Sequence, residues 1–141
     1  MISRNASNEQ DSPSTPLITA SFIIATAAIF GLLAVIAGAA GTHALRDTLD
    51  AGALNTFETA VRFQMYHALA LLAVGLLAMR WQTRALTISA ALFTLGTILF
   101  SGSLYILALS GIGIFGAVAP VGGLCLMAGW ASLVYAALRS R

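Results

Sequence analysis

The sequence predicts an all-α integral membrane protein, a four-helix bundle with a short interfacial amphipathic helix between helices 1 and 2. Three observations predict it. Only 9% of the 141 residues are charged and 59% are hydrophobic, with a mean hydropathy of +0.91. A soluble domain carries about 25% charged residues, so lipid must cover part of this surface. Asp, Glu, Lys and Arg are also absent from three long runs, Ser12–Leu45, Phe63–Met79 and Ala85–Leu138. A span needs roughly 20 apolar residues, so the last run holds two spans joined by a tight turn. Finally, open strands would leave backbone groups unpaired in lipid, which leaves helices as the spanning structure.

Residues 1–16 (MISRNASNEQDSPSTP) are polar and without apolar periodicity, and are expected to form a disordered tail ahead of a single transmembrane domain, 17–141. Asn5-Ala6-Ser7 is read as a chance sequon. Ala37-Gly38-Ala39 resembles a signal-peptide cleavage site, but the apolar stretch from Leu17 is longer than the usual h-region and its leader is not basic, so a retained span is expected. The spans are expected at about 17–41, 57–80, 85–109 and 117–138. Helix 1 presents Gly31, Ala34, Gly38 and Gly41 as a packing face, because small residues let backbones approach in lipid. Between helices 1 and 2, Leu45, Thr48 and Leu49 share one helical face opposite Arg46, Asp47 and Asp50, the pattern of the interfacial helix. Asn55 or Thr56 is expected to cap helix 2, with Glu58 in its first turn. Trp81 suits the headgroup layer. Pro120 is expected in the first turn of helix 4, where a missing N–H costs least.

The net charge of +2 comes from seven Arg against five acids, with no Lys, too few and too scattered for nucleic acid. The single Cys125 excludes an internal disulfide. Four spans place Arg4, Arg80, Arg84, Arg139 and Arg141 on one side and only Arg46 and Arg62 on the other. The positive-inside rule then puts both termini in the cytoplasm.

Helical rise puts His67 about one and a half turns inside the outer boundary of helix 2, at the depth of Ser101 and Ser103 on helix 3. His43 closes helix 1 on the same side. The candidate polar cluster is therefore His43, Glu58, Arg62, Gln64, Tyr66, His67, Ser101, Ser103 and Tyr105. At about 100° per residue, Glu58, Arg62, Met65, Tyr66 and Leu69 share one face, with Gln64 and His67 on the other. Glu58 and Arg62, at i and i+4, can pair and fix the helix end, or can form a charged mouth to a site. His67 is an ionisable group inside a span and so a candidate functional residue. Its structural reading is a neutral ring bonded to Ser101, Ser103 or a backbone carbonyl, holding helices 2 and 3 together. Two His without supporting Cys or carboxylate spacing do not make a metal or haem site, and no cofactor is expected. The GxGxxG spelled by Gly111–Gly116 follows no strand and is rejected as a nucleotide loop. Asp47 and Asp50 are read as a solvated face, and no catalytic constellation is found.

Gly38-Ala-Ala-Gly-Thr-His43-Ala-Leu45, Phe57-Glu58-Thr59-Ala60, Gln64-Met65-Tyr66-His67-Ala68, Phe100–Tyr105, Pro120-Val-Gly-Gly123 and Gly129-Trp130 together resemble the YgdD/YwdK-like family of small bacterial inner-membrane proteins, which carry a domain of unknown function. The resemblance runs from about Leu32 to Leu138. The chain departs at Ala40 and Thr42, where the pattern has Phe and Ala, and at Ala119, where Thr often precedes the Pro. The resemblance implies a four-helix multi-pass protein of the bacterial inner (plasma) membrane. It carries over no catalytic residue, because none is established for the family.

The reading that follows is a non-enzymatic membrane module, in contact with the lipid bilayer, that binds a partner or a lipid as a homo-oligomer or within a larger membrane complex. The alternatives are an oligomeric small-solute transporter or channel using the polar layer around His67, and an enzyme acting on a lipid or quinone.

Overall fold

The chain folds into α1 (Thr15–Ala40), a one-turn π-helix (Gly41–Leu45), α2 (Ala51–Ala78), α3 (Arg84–Ser110) and α4 (Ile114–Arg139). This is a computed structural model, and it describes residues 15–81 and 83–139. Residues 1–14 of the expected tail lie outside the described residues. All four helices are long and apolar enough to cross a membrane, the first running on through the π turn to Leu45.

Three expectations need correction. α2 begins at Ala51 instead of near residue 57, because Asp50 caps it: its carboxylate accepts from Gly52 N and Ala53 N at 2.8 and 2.9 Å. Neither Asn55 nor Thr56 is the cap, and Glu58 lies in the second turn. The interfacial amphipathic helix is not formed either. With α2 starting early, only residues 46–49 separate the π turn from the Asp50 cap, and they make a turn in which Thr48 N and Leu49 N both donate to Leu45 O. Helices shorter than about 12 residues are marginal on their own, and four residues cannot support one. Pro120 is the seventh residue of α4, not in its first turn, because α4 starts at Ile114. Gly111, at φ 70°, ends α3 in the left-handed region that glycine adopts freely, and Phe115 N then donates to Ile112 O to start the next helix.

Helices successive in sequence pack on one another: α1 on α2, α2 on α3, and α3 on α4. α2 and α3 are therefore central. The α1 seam is Ala20, Ala27, Ala34 and Gly41, all buried and seven residues apart. A seven-residue repeat of small side chains keeps one stripe against a partner helix at close range. Gly31, expected on this face, has open space around it. On the partner side, a Cβ at Gly75 would meet Ile24 Cγ1 at 2.7 Å. The α3–α4 seam is equally close. A Cβ at Gly122 would run into the backbone of Phe100 and Leu99, and one at Gly129 would meet the Phe93 ring. Ser89 Oγ donates to Gly129 O (2.9 Å) and Ser132 Oγ to Ala85 O (2.8 Å), so two hydroxyls tie this seam together. The core between the seams is Leu71, Val74, Leu86, Phe93 and Leu126. Phe22, Leu32, Ile98, Leu124 and Met127 point outward, as side chains facing hydrocarbon do.

Candidate functional site

α2 divides its polar residues between two faces. Gln64 and His67 are buried, whereas Glu58, Arg62 and Tyr66 are exposed. Burying a polar group costs free energy unless it is hydrogen-bonded, so the partners of Gln64 and His67 decide what those residues do.

Gln64 joins three helices. Its Nε2 donates to the α1 carbonyl of Phe30 at 2.9 Å, and its Oε1 accepts from Tyr105 Oη on α3 at 2.9 Å. His67 joins α2 to α4. Trp130 Nε1 donates to His67 Nε2 (3.2 Å), and His67 Nδ1 lies 2.8 Å from Phe63 O one turn back. An indole N–H only donates and a carbonyl only accepts. Nε2 is therefore the bare nitrogen, and the ring is neutral with its proton on Nδ1. Phe93 and Trp130 pack around the ring, with centroids 5.6 and 6.2 Å from it. His67 thus bonds to Trp130, not to Ser101 or Ser103, and its interhelical tie runs to α4. Along α2, His67 lies about 24 Å from the Ala51 end and about 17 Å from Ala78.

The other candidates are dispersed. Ser103 Oγ donates to Phe100 O within its own helix, while Ser101 Oγ is buried without a partner. His43 is exposed on the π turn. Arg62 turns to the Glu58 carbonyl (Nε, 3.3 Å) and the Thr59 hydroxyl (3.4 Å) instead of the Glu58 carboxylate, so the expected i, i+4 ion pair is replaced by backbone contact.

Beside Gln64 lies a groove of about 470 Å³ between α1, α2 and α3, lined by Phe30, Leu33, Phe57, Thr97, Gly102 and Tyr105 among others. Its walls are almost entirely apolar. The hydrogen-bonded Gln64 and Tyr105 both line it, as does Thr97, whose hydroxyl is buried and unpartnered. A second, smaller crevice of about 190 Å³ lies between the end of α1, the π turn and α2, lined by Gly38, Gly41, Thr42, Val61, Glu58 and Arg62 together with Phe57.

Three residues were missed as site residues in the sequence: Trp130, Phe93 and Thr97. Trp130 carried one usable signal. Trp prefers the headgroup layer, and this one lies nine residues before the end of α4, about 14 Å into the span, where an indole N–H needs a partner.

A family model described as protein of unknown function, DUF423, matches residues 37–123. The UPF0382 inner membrane protein YgdD of Escherichia coli K12 is 38% identical over 122 residues, covering 86% of this chain and 93% of the relative. A UPF0382 membrane protein of Staphylococcus saprophyticus is 43% identical over 107 residues (76% and 88%), and one of Haemophilus influenzae 37% over 114 (81% and 91%). None of these names states an activity. No solved structure matches the chain.

Proposed function

The chain belongs to the DUF423 family, and from that premise we propose a non-enzymatic membrane module that holds the hydrocarbon chain of a bilayer lipid in the groove between α1, α2 and α3. The groove itself carries this reading: it is apolar, lies along the spanning part of three helices, and has a volume suited to a lipid tail. The buried polar side chains support a non-enzymatic role. Gln64 and His67 are committed to helix–helix bonds, and His67 presents its bare nitrogen to Trp130 instead of to a reactant. A transporter reading has less support, since the same bonds cross the ground that a polar path would need. Both termini are proposed to face the cytoplasm of a bacterial inner membrane, on the arginine bias.

The test is native mass spectrometry of protein extracted gently from its own membrane, wild type beside Gly102→Leu. Gly102 lines the groove and a Cβ there meets nothing within 4 Å, so a side chain can start there without a backbone clash and take up groove space. Wild type should retain a lipid that the variant releases. Equal retention by both would remove the groove as the lipid site, and a second protein subunit held in place of lipid would favour an assembly role.

A further inference from the structure

We infer that the crevice between α1, the π turn and α2 binds the headgroup of a zwitterionic phospholipid with a primary ammonium, Arg62 holding the phosphate and Glu58 the ammonium. The site shares only Phe57 with the groove and does not depend on a lipid tail lying there.

Arg62 is 18 residues from Arg80, about 27 Å of helix, close to the roughly 30 Å thickness of the hydrocarbon layer. With Arg80 at one boundary, Arg62 lies at the other, at headgroup depth. A guanidinium has five N–H donors in a fork that matches phosphate oxygens. Arg62 engages its own helix through Nε and Nη2 only, at 3.3 and 3.4 Å, which leaves donors for a ligand. The Glu58 carboxylate, one turn away on the same wall, is not neutralised by Arg62. A positive and a negative group side by side match a dipolar headgroup better than a purely anionic one, which Glu58 would repel. A trimethylammonium has no N–H to give the carboxylate, whereas a primary ammonium does.

The opposite wall is held close to α2 by glycines: a Cβ at Gly38 would meet Val61 at 3.4 Å and one at Gly41 the Phe57 ring at 3.3 Å, so no side chain from the end of α1 stands over Glu58 and Arg62 on the crevice. The π turn begins at Gly41, and single π turns within helices often mark functional positions. Thr42 Oγ1 is drawn back to Gly38 O at 3.0 Å, which leaves Glu58 and Arg62 as the charged groups on the crevice.

The full-length protein is to be stripped of lipid in detergent and titrated with phosphatidylethanolamine, phosphatidylcholine and phosphatidylglycerol of identical acyl chains, reading adducts by native mass spectrometry. Phosphatidylethanolamine should be retained about tenfold better than phosphatidylcholine, the factor that one charge-assisted hydrogen bond supplies. Glu58→Gln should erase that preference, and Arg62→Gln should weaken the binding of all three lipids. Both residues are exposed, so both variants should fold, which circular dichroism checks. Gly102→Leu should keep the preference. Equal retention of the three lipids, tighter binding of phosphatidylglycerol, or a preference that survives Glu58→Gln would each overturn the inference. Loss of the preference in Gly102→Leu alone would move the lipid to the groove and overturn it as well.

Discussion

At position 67 a buried histidine owes its proton location to a residue 63 positions away. Trp130 can only donate, so His67 must accept at Nε2 and keep its proton on Nδ1 for Phe63 O. Trp130→Phe keeps an aromatic ring edge-on to His67 and Phe93 but removes the N–H and part of the indole's volume. It should destabilise the protein in detergent by at least about 0.6–1.7 kcal/mol, the range measured for interhelical hydrogen bonds in membranes, with the lost volume adding to it. Gln64→Leu removes two such bonds and should cost about twice as much, read as the fall in thermal midpoint. An unchanged midpoint for both would mean that neither bond holds helices together. The 100° spacing made two polar faces of α2 legible, Gln64 and His67 on one and Glu58, Arg62 and Tyr66 on the other. Which face turns inward was not legible, because both carry polar groups, and neither were the partners of Gln64 and His67. Nothing local in the sequence links Gln64 to the carbonyl of Phe30, because that pairing depends on how two helices cross.

Among the elements, α3 and α4 owe their close approach to missing side chains. Gly122→Ala would push a Cβ into the Phe100 backbone, which cannot rotate away. It should destabilise by about 1–3 kcal/mol or more, the cost of overpacking. Gly31→Ala, with open space around it, should stabilise by about 0.5–1 kcal/mol because alanine favours helix. Thermal melts of the two variants should move in opposite directions, and parallel shifts would show that the α3–α4 seam can yield. Element boundaries were less legible than element existence. The acidic run before α2 reads as the solvated face of an interfacial helix, yet Asp50 caps α2, because its carboxylate reaches two free N–H groups. Pro120 reads as a helix start by the same local logic, yet α4 begins six residues earlier, at the glycine-assisted turn.

For the whole molecule, four antiparallel spans put Thr15 and Arg139 at the same end of the bundle. Reporter fusions should find the C-terminus and the α2–α3 turn on one side of the membrane and the α1–α2 turn on the other. The arginine bias further predicts that the first side is cytoplasmic. An outward C-terminus would reverse the orientation while leaving the fold intact. Chain-order packing also accounts for the groove: α1 packs on α2 and does not pack extensively on α3 among the described residues, so a cleft is left over Gln64.

From the sequence alone come the membrane environment, the number of spans and the division of α2 into two polar faces. Each of these follows from local apolar length, charge and the 100° turn, which need no knowledge of neighbours. Helix packing sets the rest: that His67 bonds to Trp130, that Gln64 ties α1 to α3, and that a groove opens beside Gln64. Those depend on the distances between helix axes, which are set by where glycines and alanines meet across a seam and not by any one helix alone.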